Sequence, residues 1–399
     1  MSPFLRSAVV LGLVSATGPL AIDMFLPSLP QIADSLGGTM AGAQLTITAY
    51  FIAFGLAQMV YGPVADMVGR KPPLIAGLTL FLAGSIGCAL APDMNWLIAA
   101  RVVQALGGAA AMVIPRAIIR DLHTGAQATR LMALVMLIIS VSPMLAPLAG
   151  SGIIAISGWR AIFAMLAVAA GFSIAITVLL QPETLHPEYR VPVRLAALLS
   201  GVGTLLRDPV FMGLTFVGGF GMASFFVFLA SASFVYTGHY GLTPTGFSLA
   251  FAANAAGFFS ASQLAATLGE KFGATRVVTW AVSGFLAVTL ALLALVWFGI
   301  DHFILLVAML ICANACLGLV IPTAMVMALD DHGDIAGLAS SLGGMLQMLA
   351  GGVMTMLAGP FFDGTPLPMV AAIALAAVLA FSAMRLTDAA RGRRLLAAA

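Results

Sequence analysis

The chain has 399 residues, of which 61% are hydrophobic and only 8% charged, with a formal net charge of +2. So few charged groups cannot cover the surface of a soluble domain of this length, which excludes an ordinary globular enzyme. A charge this close to neutral gives no reason to expect a nucleic-acid partner.

Apolar runs recur down the chain, each near the ~20 residues one helix needs to cross a hydrocarbon core. Twelve can be counted: 7–27, 44–63, 73–91, 96–116, 131–153, 161–180, 209–232, 246–268, 277–298, 303–328, 335–359 and 367–386. The expected fold is therefore an all-α membrane protein of twelve transmembrane helices in two six-helix bundles. The first run follows Arg6 and has the length of a signal peptide, but Asp23 and its neighbouring prolines fit a retained span better.

Span 1 carries Asp23 among Pro19, Pro27 and Pro30, and span 4 carries Arg101. An ionisable group inside a membrane costs several kcal/mol unless paired, so each is a candidate functional residue. If span 1 ends near Pro27, Asp23 lies roughly 6 Å below that end, at 1.5 Å per residue. Arg101, counted from an interfacial Trp96, lies roughly 7–8 Å below the same surface. The two can share one level and form a proton-sensitive pair, since a neighbouring guanidinium favours the carboxylate. The alternative is that each snorkels separately to the headgroups.

Between spans 2 and 3 the sequence Gly62-Pro-Val-Ala-Asp-Met-Val-Gly-Arg-Lys-Pro-Pro-Leu74 interrupts the apolar pattern, reading as a charged, glycine-punctuated turn. Span 5 reads Ser142-Pro-Met-Leu-Ala-Pro-Leu-Ala-Gly-Ser151. Pro143 and Pro147 free backbone carbonyls and bend the rod, while Gly150 permits close packing. A hinge and simple tight packing are equally consistent with that segment.

The connection 181–208 is rich in proline and charge. It divides the chain into an amino-terminal bundle over 1–180 and a carboxy-terminal bundle over 209–399 that ends in a short basic tail. Echoes support a duplication: Asp66-Met-Val-Gly69 with Glu270-Lys-Phe-Gly273, and Val113-Ile-Pro115 with Val320-Ile-Pro322, at similar offsets. Such a repeat would place cargo near the midplane between the halves. The carboxy-terminal half has no embedded charge comparable to Asp23 and Arg101, so coupling is assigned to the first half. With both termini cytoplasmic, fifteen of the seventeen basic residues fall on the inner side, Arg194 among them, leaving Arg160 outside and Arg101 within its span.

Aromatic side chains suggest a cargo cavity with few polar handles: Phe25, Tyr50 and Phe54, with Gln104, in the first half, and Phe225, Phe226, Phe228 and Phe258 in the second. Core packing or lipid contact is the competing reading for each. Cys88, Cys312 and Cys316 lie in apolar spans, and the i,i+4 pair at 312 and 316 on one helix face is too little for a metal site. The five histidines sit in loops or at span ends, which weakens a membrane-hydrolase reading.

The 62–74 segment resembles the loop between spans 2 and 3 of the major facilitator superfamily. Gly18-Pro-Leu-Ala-Ile-Asp-Met-Phe-Leu-Pro-Ser-Leu-Pro30, Gln44-Leu-Thr-Ile-Thr48, Arg101-Val-Val-Gln104, Arg116-Ala-Ile-Ile-Arg-Asp121, Gly158-Trp-Arg160 and Pro182-Glu-Thr-Leu185 are similar to the bicyclomycin and chloramphenicol resistance exporters of that superfamily. The resemblance implies proton-driven export of a small drug, with no cofactor beyond the proton gradient. It further implies a monomer in a bacterial inner membrane, whose partners are drug, protons and lipid.

It also implies that Gly62, Asp66, Gly69, Arg70 and Lys71 form a gating loop, that Asp66 and Arg70 latch the inner ends of spans 2, 4 and 11, and that Asp121 receives the loop arginine. Arg101 takes the role of the span 4 arginine tied to proton transfer. Two features depart from the pattern. Span 5 has Ala146-Pro-Leu-Ala-Gly-Ser151 where antiporters of this type carry Gly-Pro-x-x-Gly-Gly, and an acidic run, Asp330, Asp331 and Asp334, precedes span 11. Competing functions are import of a sugar or organic acid, which would want more embedded polar groups, and a lipid-acting membrane enzyme, for which no nucleophile and base share a span set.

Overall fold

A computed structural model describes residues 3–123, 125–190 and 195–398. Among the described residues there are fourteen α-helices and no strand. The chain separates into two compact units, Met1–Arg194 and Leu195–Ala399.

The first unit holds α1 (Pro3–Asp23), α2 (Leu29–Ser35), α3 (Met40–Val68), α4 (Lys71–Ala89), α5 (Met94–Leu122), α6 (Gly125–Ser157) and α7 (Arg160–Leu180). The second holds α8 (Leu195–Arg207), α9 (Pro209–Phe234), α10 (Pro244–Phe272), α11 (Ala274–Trp297), α12 (Phe303–Leu329), α13 (Ala336–Ala358) and α14 (Pro366–Ala398). Several starts have a legible local cause. Thr39, Asp93, Thr243 and Asp208 each accept a hydrogen bond from a backbone N–H in the first turn of the following helix, as N-caps do.

Eleven helical stretches among the described residues are long and apolar enough to cross a membrane. The eighth expected span, α10, has 29 residues and ample length, but Asn254, Ser260, Ser262 and Gln263 dilute its apolar character. In unit 1, α4 packs on α5 and α7, α3 on α5, and α1 on α4's neighbours α5 and α7 as well as on α6. Unit 2 repeats the same six pairings with its own helices: α11 on α12 and α14, α10 on α12, and α9 on α12, α13 and α14. The faint internal echoes in the sequence thus correspond to one packing scheme used twice.

Two expectations need correction. The charged segment 62–74 is mostly helix: α3 runs through Gly62 and Pro63 to Val68, α4 begins at Lys71, and only Gly69 and Arg70 lie between. Val64-Ala-Asp-Met-Val68 contains no breaker, so the helix ends only where Gly69 takes φ +105°, a conformation that L side chains rarely adopt.

Span 1 does not end near Pro27. It continues as one helical stretch, Phe4–Ser35, with a break after Asp23. Asp23 therefore lies at the break inside that stretch and not near its end. The connection 181–208 contains a turn at Pro187–Tyr189 and the whole of α8. Arg194 falls outside the described residues, as does the side chain of Asp334.

Candidate functional site

The break in span 1 is written in its prolines. A helix carried on from Asp23 would need amide donors at positions 27 and 30, and proline has none. The chain instead turns through Phe25, whose carbonyl accepts from both the Ser28 amide at 2.9 Å and the Ser28 hydroxyl at 2.6 Å. The carbonyls at the end of α1 are thereby released. One of them, Ala21 O, accepts from Arg101 Nη1 at 2.9 Å, a cation placed at a helix C-terminus, where the helix dipole favours it.

Arg101 is wholly enclosed. Its guanidinium carbon stands 4.2 Å from the ring centres of both Phe25 and Tyr50, with Phe163 at 5.9 Å. A desolvated guanidinium between two aromatic faces gains about 2 kcal/mol or more per favourable ring. In the plane of the group, Nη1 also donates to Gln104 Oε1 at 2.5 Å, and Gln104 Nε2 donates to Ser85 Oγ at 2.8 Å. Gly84 lets α4 come near enough for that contact; a methyl there would stand 2.4 Å from the Gln104 amide nitrogen. Among the described residues, Arg101 Nε and Nη2 have no hydrogen-bond partner.

The expected ion pair between Asp23 and Arg101 is absent. Asp23 is 4% exposed and makes no hydrogen bond or ion pair among the described residues, while Arg101 spends its bonded nitrogen on Ala21 and Gln104. The released carbonyl and the Phe25–Tyr50 sandwich compete successfully for the guanidinium. What the structure brings together is Arg101 with both flanks of the break that carries Asp23.

Two residues assigned to the cargo cavity, Phe25 and Tyr50, are thus buried against Arg101, and Phe54 stacks on Tyr50 at 5.8 Å. Gln104 serves as a bracket for the arginine. In unit 2, Phe225 stacks on Phe258 at 6.1 Å and both keep partial exposure, whereas Phe226 and Phe228 are buried, the latter stacked on Phe251 at 5.7 Å. Pro143 and Pro147 lie inside an unbroken α6. Gly150 sits against the span 1 break, where a methyl would come within 1.9 Å of Met24 O.

At the α3–α4 turn, Arg70 Nε donates to Asp121 Oδ2 at 2.8 Å and Nη1 to Asp66 Oδ1. Lys71 Nζ donates to Val178 O at 2.8 Å. Gly62 lies one helical stretch away, within α3. Sequence reading singled out Pro182-Glu-Thr-Leu185 without giving Glu183 or Thr184 a role, and it missed Ser85. Thr184 Oγ1 donates to Asp121 Oδ2 at 3.0 Å, and Glu183 accepts from the amides of Arg70 and Lys71. An acid directly after an apolar run was the available signal for Glu183; Ser85 offered none. In unit 2, Asp208 caps α9 and is met by His332 at 3.0 Å and by Arg394. Asp331, from the acidic run, lies 3.6 Å from Arg394.

Eleven apolar membrane-length stretches in two bundles that share one pairing scheme are the architecture of a multi-pass membrane transporter. Residues 11–355 match the family model of the Major Facilitator Superfamily, and the chain belongs to that family. It is 33% identical over 377 residues to the MFS-type transporter YdgK of Bacillus subtilis (strain 168), covering 94% of this chain and 93% of that protein. It is 29% identical over 367 residues to a bicyclomycin resistance protein homolog of Haemophilus influenzae, covering 91% of each.

A chloramphenicol resistance protein of Pseudomonas aeruginosa is 31% identical over 260 residues, 65% of this chain and 61% of that one. Among solved structures, a bacterial homolog of the human lysosomal transporter Spinster matches with a TM-score of 0.77 at 15% identity, covering 98% of each chain. That likeness concerns the fold alone. The family model and the sequence relatives support a drug transporter of the bicyclomycin and chloramphenicol resistance type.

Proposed function

We propose that this transporter exports small, neutral, aromatic antibiotics, amphenicols among them, in exchange for protons and by alternating access, in a bacterial inner membrane with both termini cytoplasmic. The observation that carries the reading is the enclosed Arg101 gripping both flanks of the break at Asp23 while leaving that acid unpaired. A proton arriving at Asp23 changes the charge of the break by one unit beside a cation that other groups hold in place. The break is the weakest point in the backbone of span 1, so a change of charge there can be answered by movement. Arg70, Asp66 and Asp121 serve as the latch at the other end of the first bundle, and the partly exposed Phe225 and Phe258 offer flat apolar surface to cargo.

An organic-acid cargo is the second reading, favoured by the two unsatisfied donors of Arg101. Everted membrane vesicles test both. Proton-gradient-dependent uptake of chloramphenicol or florfenicol supports drug export. Gradient-dependent uptake of a di- or tricarboxylate with no amphenicol uptake would replace that reading with the second.

A further inference from the structure

Glu183 follows α7 directly, at the start of the connection to the second unit, and no role in transport has yet been given to it. Its carboxylate collects four backbone donors. Oε1 accepts from Arg70 N at 2.8 Å and Oε2 from Lys71 N at 3.0 Å, at the first turn of α4. Oε1 also accepts from Thr184 N at 2.9 Å and Leu185 N at 3.0 Å. The first two donors are the last residue of the α3–α4 turn and the first residue of α4, so the acid occupies the anion site that a helix N-terminus provides.

The left-handed Gly69 acquires a second reason here: a methyl at that position would stand 2.6 Å from Glu183 Oε2. The neighbouring Thr184 bonds Asp121, the same carboxylate that holds Arg70. One short segment, 183–184, therefore grips the backbone beneath the latch arginine and the acid that receives its side chain.

We infer that Glu183 is a positioning residue for the latch, setting the rate at which the transporter changes state without touching cargo. It fixes the backbone of Arg70 and Lys71, so that the guanidinium can meet Asp66 and Asp121 together. The inference rests on the transport reading above, with a readout that does not depend on it.

The test uses the full chain carrying Glu183→Gln, in which the charge is lost and an NH2 that cannot accept replaces one of the two accepting oxygens, and Glu183→Asp, which keeps the charge on a shorter stem. Hydrogen exchange of the 69–71 amides in detergent should accelerate in Glu183→Gln and partly recover in Glu183→Asp. In proteoliposomes, Glu183→Gln should lower the maximal export rate roughly tenfold with KM changed less than about twofold, the mark of a step other than cargo binding. Combined with Asp121→Asn, it should slow transport no further than the slower single variant, since both act through one network.

Additive losses, or an unchanged rate per folded molecule, would overturn the inference, and so would unchanged exchange at 69–71. Should the unaltered chain move no drug, the functional reading fails, and the exchange measurement still decides whether Glu183 holds the turn.

Discussion

Arg101 and Tyr50 are in close cation–π contact, the guanidinium carbon 4.2 Å from the centre of the phenol ring, with the Phe25 ring at the same distance. Three helical segments are tied by those contacts: α5 supplies the arginine, α3 the tyrosine and the broken span 1 the phenylalanine. The arginine thus holds the break at a fixed place in the bundle without neutralising Asp23. Arg101→Lys should not substitute for it. A lysine is a point charge that cannot stack on two rings while reaching both Ala21 O and Gln104. Export should fall by about tenfold or more with the protein still folded, measured as uptake into everted vesicles against thermal unfolding of the purified variant.

Asp23→Asn mimics the protonated acid permanently. Gradient-driven export should be lost while drug binding to the purified protein survives. Full drug resistance in cells that express this variant normally would remove Asp23 from the coupling scheme.

Gly150 is predicted to matter for packing more than for hinging, because α6 runs unbroken past Pro143 and Pro147 and the glycine meets Met24 O directly. Gly150→Ala forces the helix away from the span 1 break and should destabilise the protein by roughly 1–3 kcal/mol, the usual cost of overpacking. A lowered unfolding temperature reports it, and an unchanged one would show that α6 can move aside freely.

The latch should be unequal in its two acids. Asp66 has a side chain 56% exposed and Asp121 one only 18% exposed. An exposed ion pair contributes about 0–1 kcal/mol, whereas breaking a more enclosed one costs more. Asp121→Asn should therefore slow turnover more than Asp66→Ala, with two-sided cysteine accessibility shifting in the same order. The reverse order would mean that Asp66 acts elsewhere than on Arg70.

Acid should loosen this cluster from the Glu183 side. Burial works against its charge, but the amides of Leu185, Arg70, Lys71 and Thr184 outweigh that and hold the carboxyl below its ordinary value near 4.5. A depressed acid contributes stability that is present above its unfolded value and lost as pH falls through the folded one. Thermal stability should therefore depend little on this group above about pH 5 and decline below it. Glu183→Gln should remove part of the decline, and an identical profile in that variant would show that other groups set it.

Much of this arrangement was legible from the sequence because membrane helices announce themselves by length and because charge is so rare in this chain. Arg70 and Asp121 could be matched as partners, and the structure brings them together. The fate of Arg101 could not be read, since spacing gives a residue's level but not its rotamer or the carbonyls that a neighbouring break will release. Phe25 and Tyr50 looked like cargo contacts for the same reason: aromatic character shows in sequence, and the face it is stacked on does not. Glu183 binds backbone amides, which every residue but proline carries, so no pattern of side chains betrays its target.

The last expectation concerns cargo charge, and the structure changes its ground. An ion pair between Asp23 and Arg101 would have left no spare negative charge for a cationic cargo. Instead the guanidinium has no carboxylate against it, and its charge is spread over two rings and two neutral oxygens. A lipophilic cation entering the first bundle would meet that uncompensated charge in a low-dielectric setting, where repulsion between like charges is poorly screened. Its attraction to Asp23 would be available only while the acid is ionised, and export coupled to protons requires that acid to be neutral for part of each cycle. A neutral aromatic drug meets neither penalty and can use Phe225 and Phe258. Chloramphenicol and florfenicol should therefore be exported better than ethidium, in parallel resistance and vesicle assays at matched expression. Strong ethidium export without amphenicol export would mean that Arg101 is shielded from cargo throughout the cycle and that the preference is set in the second bundle.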